Sequence, residues 1–269
     1  MEADLPMALT TLRPAPLHDA RVDGRRLRAA VSLFQGLYPG AWEQAAVMAG
    51  ELTRSLRLSR DLDIRCARLR RLIKNVKRSK GKERPHLGRM LDESVSLRKA
   101  LSSTPAPSSS DLMTPLLQEL WDPRVAEAPS AQRLVRVMLR ELAQRTAFLI
   151  PAASVEPLGG IQHRLRIRGK ALRYSLEMME WRLGEEAAWR IKALQKAQDV
   201  LGELHDIDVF FEYLEGKRRV CSRQELGCYR DTLAVLDGQR HRWFGRFLDL
   251  RQELENACDP AAIRARAIP

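Results

Sequence analysis

A basic pattern headed by a histidine occurs twice in the sequence. It reads His-Asp-Ala-Arg-Val-Asp-Gly-Arg-Arg-Leu-Arg from His18 and His-Arg-Leu-Arg-Ile-Arg-Gly-Lys-Ala-Leu-Arg from His163, an offset of 163 − 18 = 145 residues. An acidic pair follows each copy at the same offset, since 206 − 61 is also 145. The pairs are Asp61 with Asp63 and Asp206 with Asp208. A repeat far longer than the roughly 20–50 residues of a solenoid unit predicts a duplicated subdomain.

The spacing of the basic residues predicts a cationic stripe on a helix in each copy. Residues three or four positions apart share one face of an α-helix. The first stripe consists of His18, Arg21, Arg25 and Arg28, and the second stripe consists of His163, Arg166, Lys170 and Arg173. Arginine grips phosphate oxygens with a planar fork of donors, and lysine and histidine add point charges. Such stripes therefore favour the binding of an anionic ligand.

A second face, about 100° around each helix, carries the residues that should pack. These residues are Ala20, Gly24, Leu27, Val31 and Phe34 in the first copy and Gly169, Leu172, Leu176 and Met179 in the second. Glycine inside a helix costs about 1 kcal/mol relative to alanine. Gly24 and Gly169 therefore predict the close approach of a neighbouring helix or of a ligand.

The net charge indicates an anionic partner. The chain has 46 Lys and Arg residues against 34 Asp and Glu residues, which leaves +12. A charge of this sign suits a polyanion or an anionic membrane surface. Residues 68–84 hold nine cations against the single acid Glu83, and a solvated helix face explains such a run as well as a ligand does. Lys74 and Arg78 from this run are further candidate phosphate ligands.

The sequence lacks the motifs that are typical of several other classes of protein. Aromatic residues make up 6% of the chain and do not interleave with the stripes, which argues against a groove that stacks single-stranded nucleic acid. Recognition-helix motifs for sequence-specific duplex binding are not evident. There is no apolar run of about 18 residues and no evident signal peptide, so no membrane association is predicted. The four cysteines fit neither zinc spacing nor a disulfide scaffold, which favours a cytoplasmic location.

No catalytic residues, metal site or cofactor are predicted. The sequence has no recognisable nucleophile with a base and an orienting acid, no glycine-rich phosphate loop and no His-Glu-x-x-His. The two acidic pairs could hold a metal with nearby histidines, but such carboxylates more often cap helices or position arginines. His86 and His241 are expected at the surface or in packing. The role of His205 is left open: it is either a ligand or a structural partner. Arg60 stands at the equivalent place in the first copy.

The predicted fold is all-α, with two antiparallel helical bundles related by an internal pseudo-two-fold duplication. The predicted units are an N-terminal leader 1–16, a first bundle 17–102, a linker 103–129, a second bundle 130–256 and a tail 257–269. The predicted helices are 17–37, 41–57, 60–80, 84–102, 112–121, 130–149, 157–183, 185–202, 206–219 and 223–256. Subtracting 145 from 130–149 gives positions before residue 5, so the first bundle is expected to borrow a helix or to lack one.

The repeated pattern resembles the CHAD family, the conserved histidine α-helical domain. The resemblance covers residues 17–256 and rests on His-x-x-Arg-Val/Ile-x-Gly-Arg/Lys-x-Leu-Arg in both copies. It includes Leu201-Gly202-Glu-Leu-His205-Asp206 in the second copy and Arg60-Asp61-Leu-Asp63 in the first. The resemblance implies two helical bundles around a basic groove or pore that binds inorganic polyphosphate. It also implies that the eight residues of the two stripes are the phosphate ligands.

The expected function is therefore non-catalytic binding of polyphosphate, with placement on polyphosphate granules. Polyphosphate is flexible, highly charged and without bases, so a site of many fixed cations and no stacking platform suits it. The alternative is a metal-dependent enzyme acting on phosphorylated compounds or polyphosphate, in which the acidic pairs hold the metal. A third interpretation is a scaffold that binds acidic protein or nucleic acid. No protein partner is predicted.

Overall fold

The computed structural model describes residues 14–34, 56–78, 85–102, 129–155 and 159–263, with isolated positions between 47 and 54. In these ranges every regular element is an α-helix, which confirms the all-α prediction. The helices are α1 (Pro14–Phe34), α2 (Arg57–Arg78), α3 (Pro85–Ser102), α4 (Pro129–Ala147), α5 (Ile150–Ala153), α6 (Gly159–Leu183), α7 (Glu185–Arg218), α8 (Leu226–Asp249) and α9 (Arg251–Ala257).

Five predicted helices agree with the structure to within three residues at each end that can be compared. They correspond to α1, α2, α3, α4 and α6. The predicted helix 41–57 lies almost wholly outside the described residues, and the predicted helix 112–121 lies entirely outside them.

Helix α7 corrects one prediction. The sequence favours separate helices at 185–202 and 206–219, but Glu185–Arg218 is a single helix of 34 residues. Leu201, Leu204 and Ile207 are all buried, so the packing face continues through the predicted break. Burial of each such side chain stabilises by about 1.5–3 kcal/mol, which exceeds the roughly 1 kcal/mol cost of Gly202.

The predicted helix 223–256 is also divided. It begins at Leu226 and is interrupted at Leu250, where the backbone N–H donates to the carbonyl of Phe247 at 3.1 Å. This is a 3₁₀-type bond, which tightens the end of α8 before α9 begins.

Two hydrophobic cores hold the helices, and each contains residues from both sequence halves. The first core contains Leu172 and Leu176 of α6, Leu139 of α4 and Leu194 of α7, together with Leu33 of α1. The second core joins α2 and α3 to the C-terminal part of α7 and to α8 through Leu69, Leu87, Ile207, Phe210 and Leu236. The predicted unit boundaries and the pseudo-two-fold relation stay predictions.

The predicted packing faces of α1 and α6 are largely buried in the described residues, with Leu27 and Met179 partly exposed. Ala20, Gly24 and Val31 are buried on α1, and Gly169 is buried on α6. A Cβ at Gly169 would lie 3.8 Å from Gln198 Nε2, an ordinary contact, so the expected need for glycine at this position is wrong. Because α1 packs directly against α6, the cationic stripes beside these faces are brought near each other.

Candidate functional site

The stripes of α1 and α6 meet in one cationic cluster. The charges of Arg166 and Arg25 lower the pKa of Lys170, after burial itself. Arg25 also lowers the pKa of Arg166, and Lys170 contributes to the lowered pKa of His18. These interactions cross between α1 and α6. We use the name cationic cluster for His18, Arg21, Arg25, Arg57, Arg60, His163, Arg166, Lys170 and His205.

Burial and mutual repulsion disfavour positive charge inside the cluster. Burial, Arg166 and Arg25 lower the pKa of Lys170 to about 6. Burial and Arg25 lower the pKa of Arg21 to about 10, against the opposing attraction of Asp61. Burial also lowers the pKa of Arg166, although Asp206 favours its charged form. The nearby carboxylates therefore do not compensate the cations fully, and a bound anion would relieve the remaining cost.

Two histidines from different helices stack within the cluster. The rings of His163 on α6 and His205 on α7 lie 4.1 Å apart between centroids, with an angle of 28° between planes. Burial, followed by His163 and Arg166, lowers the pKa of His205 to about 4. Burial and Arg166 likewise lower the pKa of His163. Both rings are therefore mainly neutral at pH 7, and the structure places His205 beside the second stripe.

Two buried side-chain nitrogen atoms in the same region lack a hydrogen-bond partner within the described ranges. His163 Nδ1 and Arg166 Nε are buried and find no hydrogen-bond partner among the residues that the structure describes. Unsatisfied buried polar atoms are rare in folded proteins and require an explanation such as an absent ligand or water. Arg166 Nε is always a donor and therefore marks a place where an anionic oxygen would gain a hydrogen bond, and His163 Nδ1 would add a second in the tautomer that carries its proton there.

Helix α2 contributes two cations that the stripe pattern does not include. Arg60 lowers the pKa of His18, and Arg57 lowers the pKa of His163 and of His205. The sequence signal for both is the offset, because 57 + 145 = 202 and 60 + 145 = 205. They stand at the positions equivalent to Gly202 and His205.

The predicted capping role of Asp61 and Asp206 is wrong. Asp206 lies in the interior of α7, and Asp61 is the fifth residue of α2 rather than its cap. Each carboxylate instead lies near an arginine of its own copy: Asp61 raises the pKa of Arg21, and Asp206 raises that of Arg166. Burial raises the pKa of Asp206 in spite of Arg166 and Arg68. The other predicted role, positioning arginines, therefore agrees with this geometry.

The second acid of each pair ties two neighbouring helices together. Asp63 on α2 accepts a hydrogen bond from Arg98 Nε on α3 at 2.8 Å. Asp208 on α7 accepts one from Arg240 Nε on α8 at 2.7 Å. The Asp208 carboxylate also lies against Gly159, where a Cβ would come within 2.7 Å of Oδ2, so a side chain at this position would displace the carboxylate. Asp63 and Asp208 therefore brace the helices that carry the cluster.

The remaining candidate ligands lie at or beyond the edge of the cluster. Arg28 is exposed on α1, and Arg173 Nε lies 3.6 Å from Glu177 Oε1. Lys74 is exposed on α2, about 25 Å along the helix axis from Arg57. Arg78 is the last residue of α2, and its side chain is outside the described part.

His86 and His241 lie outside the cluster, as expected from the sequence. His86 is buried, with its ring centroid 4.7 Å from that of Tyr229. His241 is exposed, and its Nδ1 lies 2.9 Å from the carbonyl oxygen of Asp237. The first histidine packs in the interior, and the second lies at the surface.

The described ranges contain neither a candidate metal site nor a membrane-spanning helix. Within them, no group of three or more His, Cys, Asp or Glu side chains is placed to hold a metal ion. Among the helices described, none combines the length and the apolar character needed to span a bilayer.

Comparison with known proteins identifies the family. No curated protein matches the chain. The family model described as CHAD domain matches residues 2–215, which contain both stripes and both acidic pairs. This match spans most of the 269 residues. The chain therefore belongs to the CHAD domain family.

Proposed function

We propose that the protein binds inorganic polyphosphate without turning it over, in a basic groove formed by both copies of the repeat. The observation that carries the proposal is the meeting of the two stripes. Arg25 and Lys170 are equivalent by the offset, and they are close enough for the charge of one to lower the pKa of the other. A chain of linked phosphates could contact several residues of both stripes at once, whereas a single phosphate has fewer oxygens to share among them.

The chemistry of the cluster matches this ligand. Polyphosphate carries closely spaced negative charges along a flexible chain, and arginine forks can bind its oxygens in pairs. Cations already held together lose less conformational freedom on binding, because packing fixes the helices that carry them. Arg166 Nε, a buried donor without a partner among the described residues, supplies a place for a phosphate oxygen. Placement of the protein on polyphosphate granules in the cytoplasm would follow from such binding.

The proposal is tested by measuring binding and turnover together. Labelled long-chain polyphosphate is titrated with the purified protein, and orthophosphate is used as a competitor. We expect saturable binding that millimolar orthophosphate displaces poorly. Absence of binding to long chains at moderate salt would overturn the proposal.

The same mixture distinguishes the enzymatic alternative. The polyphosphate is incubated with the protein and either magnesium or EDTA, and its chain length is then followed by gel electrophoresis. The proposed function predicts an unchanged length under both conditions. Shortening that requires magnesium would instead support a metal-dependent enzyme.

A further inference from the structure

The two copies carry residues of different type at position 57 and its equivalent: the first copy has an arginine there. The equivalent position in the second copy is Gly202, over which the guanidinium of Arg166 lies. A Cβ on Gly202 would be 3.6 Å from Arg166 Nε and 3.8 Å from Nη2. These are ordinary contact distances, so the second copy has its own stripe arginine packed over this position, while the first copy places an additional cation there.

The side chain of Arg57 acts on both copies. Its charge lowers the pKa of Arg21 in the first copy and the pKa of His163 and His205 in the second. Its Nε lies 3.4 Å from Asp61 Oδ2, and 72% of the side chain is exposed. Arg57 therefore stands at the solvent side of the cluster, between the two stripes.

Arg57 lies near two histidines that are mainly neutral, so it supplies positive charge that they do not. The stacked His163 and His205 are disfavoured as cations, because burial and nearby arginines lower the pKa of both. A guanidinium stays charged throughout the physiological range and carries five donors in a planar fork. With one pairing to Asp61, donors remain for a phosphate oxygen at the open edge of the cluster.

We propose that Arg57 is a polyanion ligand that bridges the two copies of the repeat. This inference rests on the proposed function and adds to it a residue outside both stripes. In this arrangement, a phosphate chain that leaves the first stripe contacts Arg57 before it reaches the stacked histidines and the second stripe. The asymmetry between Arg57 and Gly202 gives the site one more fixed charge on the side of the first copy.

The test compares Arg57→Gln and Arg57→Lys with Arg70→Gln, which removes the same charge from an exposed position on the same helix. Affinity for long-chain polyphosphate is measured over a range of salt concentrations. We expect Arg57→Gln to weaken binding about three- to tenfold and to lower the salt slope by roughly 0.7–0.9, the value for one lost contact on a nucleic acid. Arg57→Lys should lie between this variant and the wild type, and Arg70→Gln should match the wild type.

A second measurement needs no ligand. Histidine NMR titrations of the free protein should show higher pKa values for His163 and His205 in Arg57→Gln, because one repelling charge is removed. Unchanged histidine titrations would contradict the bridging position of Arg57. If the wild type binds polyphosphate and Arg57→Gln binds equally well, the inference is wrong and the proposed function stands. If the wild type does not bind, the proposed function fails and the inference fails with it.

Discussion

The charge of Arg25 on α1 lowers the pKa of Lys170 on α6, although 170 − 25 = 145 residues separate them in the sequence. The two residues also hold equivalent places in the repeat. Their proximity follows from the packing of α1 against α6, which buries the glycine-containing faces beside the stripes. The packing of α1 against α6 thus places two sets of like charges side by side, a costly arrangement that an anionic ligand would stabilise.

The first prediction is that both copies contribute to one site. Arg21→Ala with Arg25→Ala, and separately Arg166→Ala with Lys170→Ala, should each weaken polyphosphate binding by about tenfold or more, because each pair removes charge-assisted contacts. Fluorescence anisotropy gives the affinities, and circular dichroism checks that the helices persist.

The matched control removes two exposed arginines from α8. Arg230→Ala with Arg242→Ala removes two arginines, as the α1 pair does, but lies outside the cluster. This control should bind within about twofold of the wild type, as expected for long-range charge effects at moderate salt. If the α1 pair behaves like the control, the site belongs to the second copy alone.

The second prediction concerns salt. Binding of a polyanion releases condensed counterions in proportion to the phosphates that are contacted, with a logarithmic slope of roughly 0.7–0.9 per contact on nucleic acids. With stripes from both copies engaged, we expect a slope magnitude on the order of 4 or more. Anisotropy titrations between low and moderate salt measure it. A nearly flat dependence would be incompatible with an electrostatic site.

The third prediction is that binding takes up protons. Burial, Arg166 and Arg25 lower the pKa of Lys170 to about 6, so the amine is mainly neutral at pH 7 in the free protein. A bound anion favours the charged amine and raises this pKa. Affinity should therefore increase as the pH falls from about 8 towards 6. Calorimetry in two buffers of different ionisation enthalpy detects the uptake directly.

The free protein should show the opposite dependence in its stability. Unfolded Lys170 has the higher pKa and binds more protons than the folded form, so its contribution to stability decreases as the pH falls from its unfolded pKa of about 10.4 towards its folded pKa of about 6. Lys170→Arg keeps the charge at all these pH values and serves as the comparison. Equal proton uptake by this variant and the wild type would show that Lys170 is not the group responsible.

The helical period predicted the stripes and their packing faces because both are properties of a single helix. Side chains three or four residues apart share a face whatever lies beyond it. Arg57 and Arg60 could not be assigned in this way, since they reach the stripes only through the packing of α2 against α1. The continuity of α7 was also hidden, because Gly202 resembles a helix end until the burial of Leu201 and Leu204 is known. Long-range packing determined these features, and local pattern did not.

The last prediction concerns Asp206, whose role the structure changes from a helix cap to a partner of buried cations. Its carboxylate favours the charged forms of Arg166 and Arg68, and Arg68 also lies 3.2 Å from Glu203. Asp206→Asn keeps the shape of the side chain but removes the negative charge that attracts the buried guanidinium of Arg166. Because burial raises the pKa of Asp206 against the attraction of these arginines, the substitution also relieves the desolvation cost of the carboxylate, and we expect a net loss of at most about 1 kcal/mol in the free energy of unfolding. Thermal melts measure this loss as a lower Tm.

Asp237→Asn is the control, because Asp237 is an exposed residue of α8 and its loss should leave the Tm nearly unchanged. Polyphosphate should raise the Tm of Asp206→Asn by more than it raises the Tm of the wild type, since the anion replaces part of the missing compensation. EDTA should alter neither the Tm nor the binding of either protein. A drop in binding on chelation, restored by magnesium, would mean that Asp206 holds a metal and that the site is built for catalysis rather than for retention of the chain.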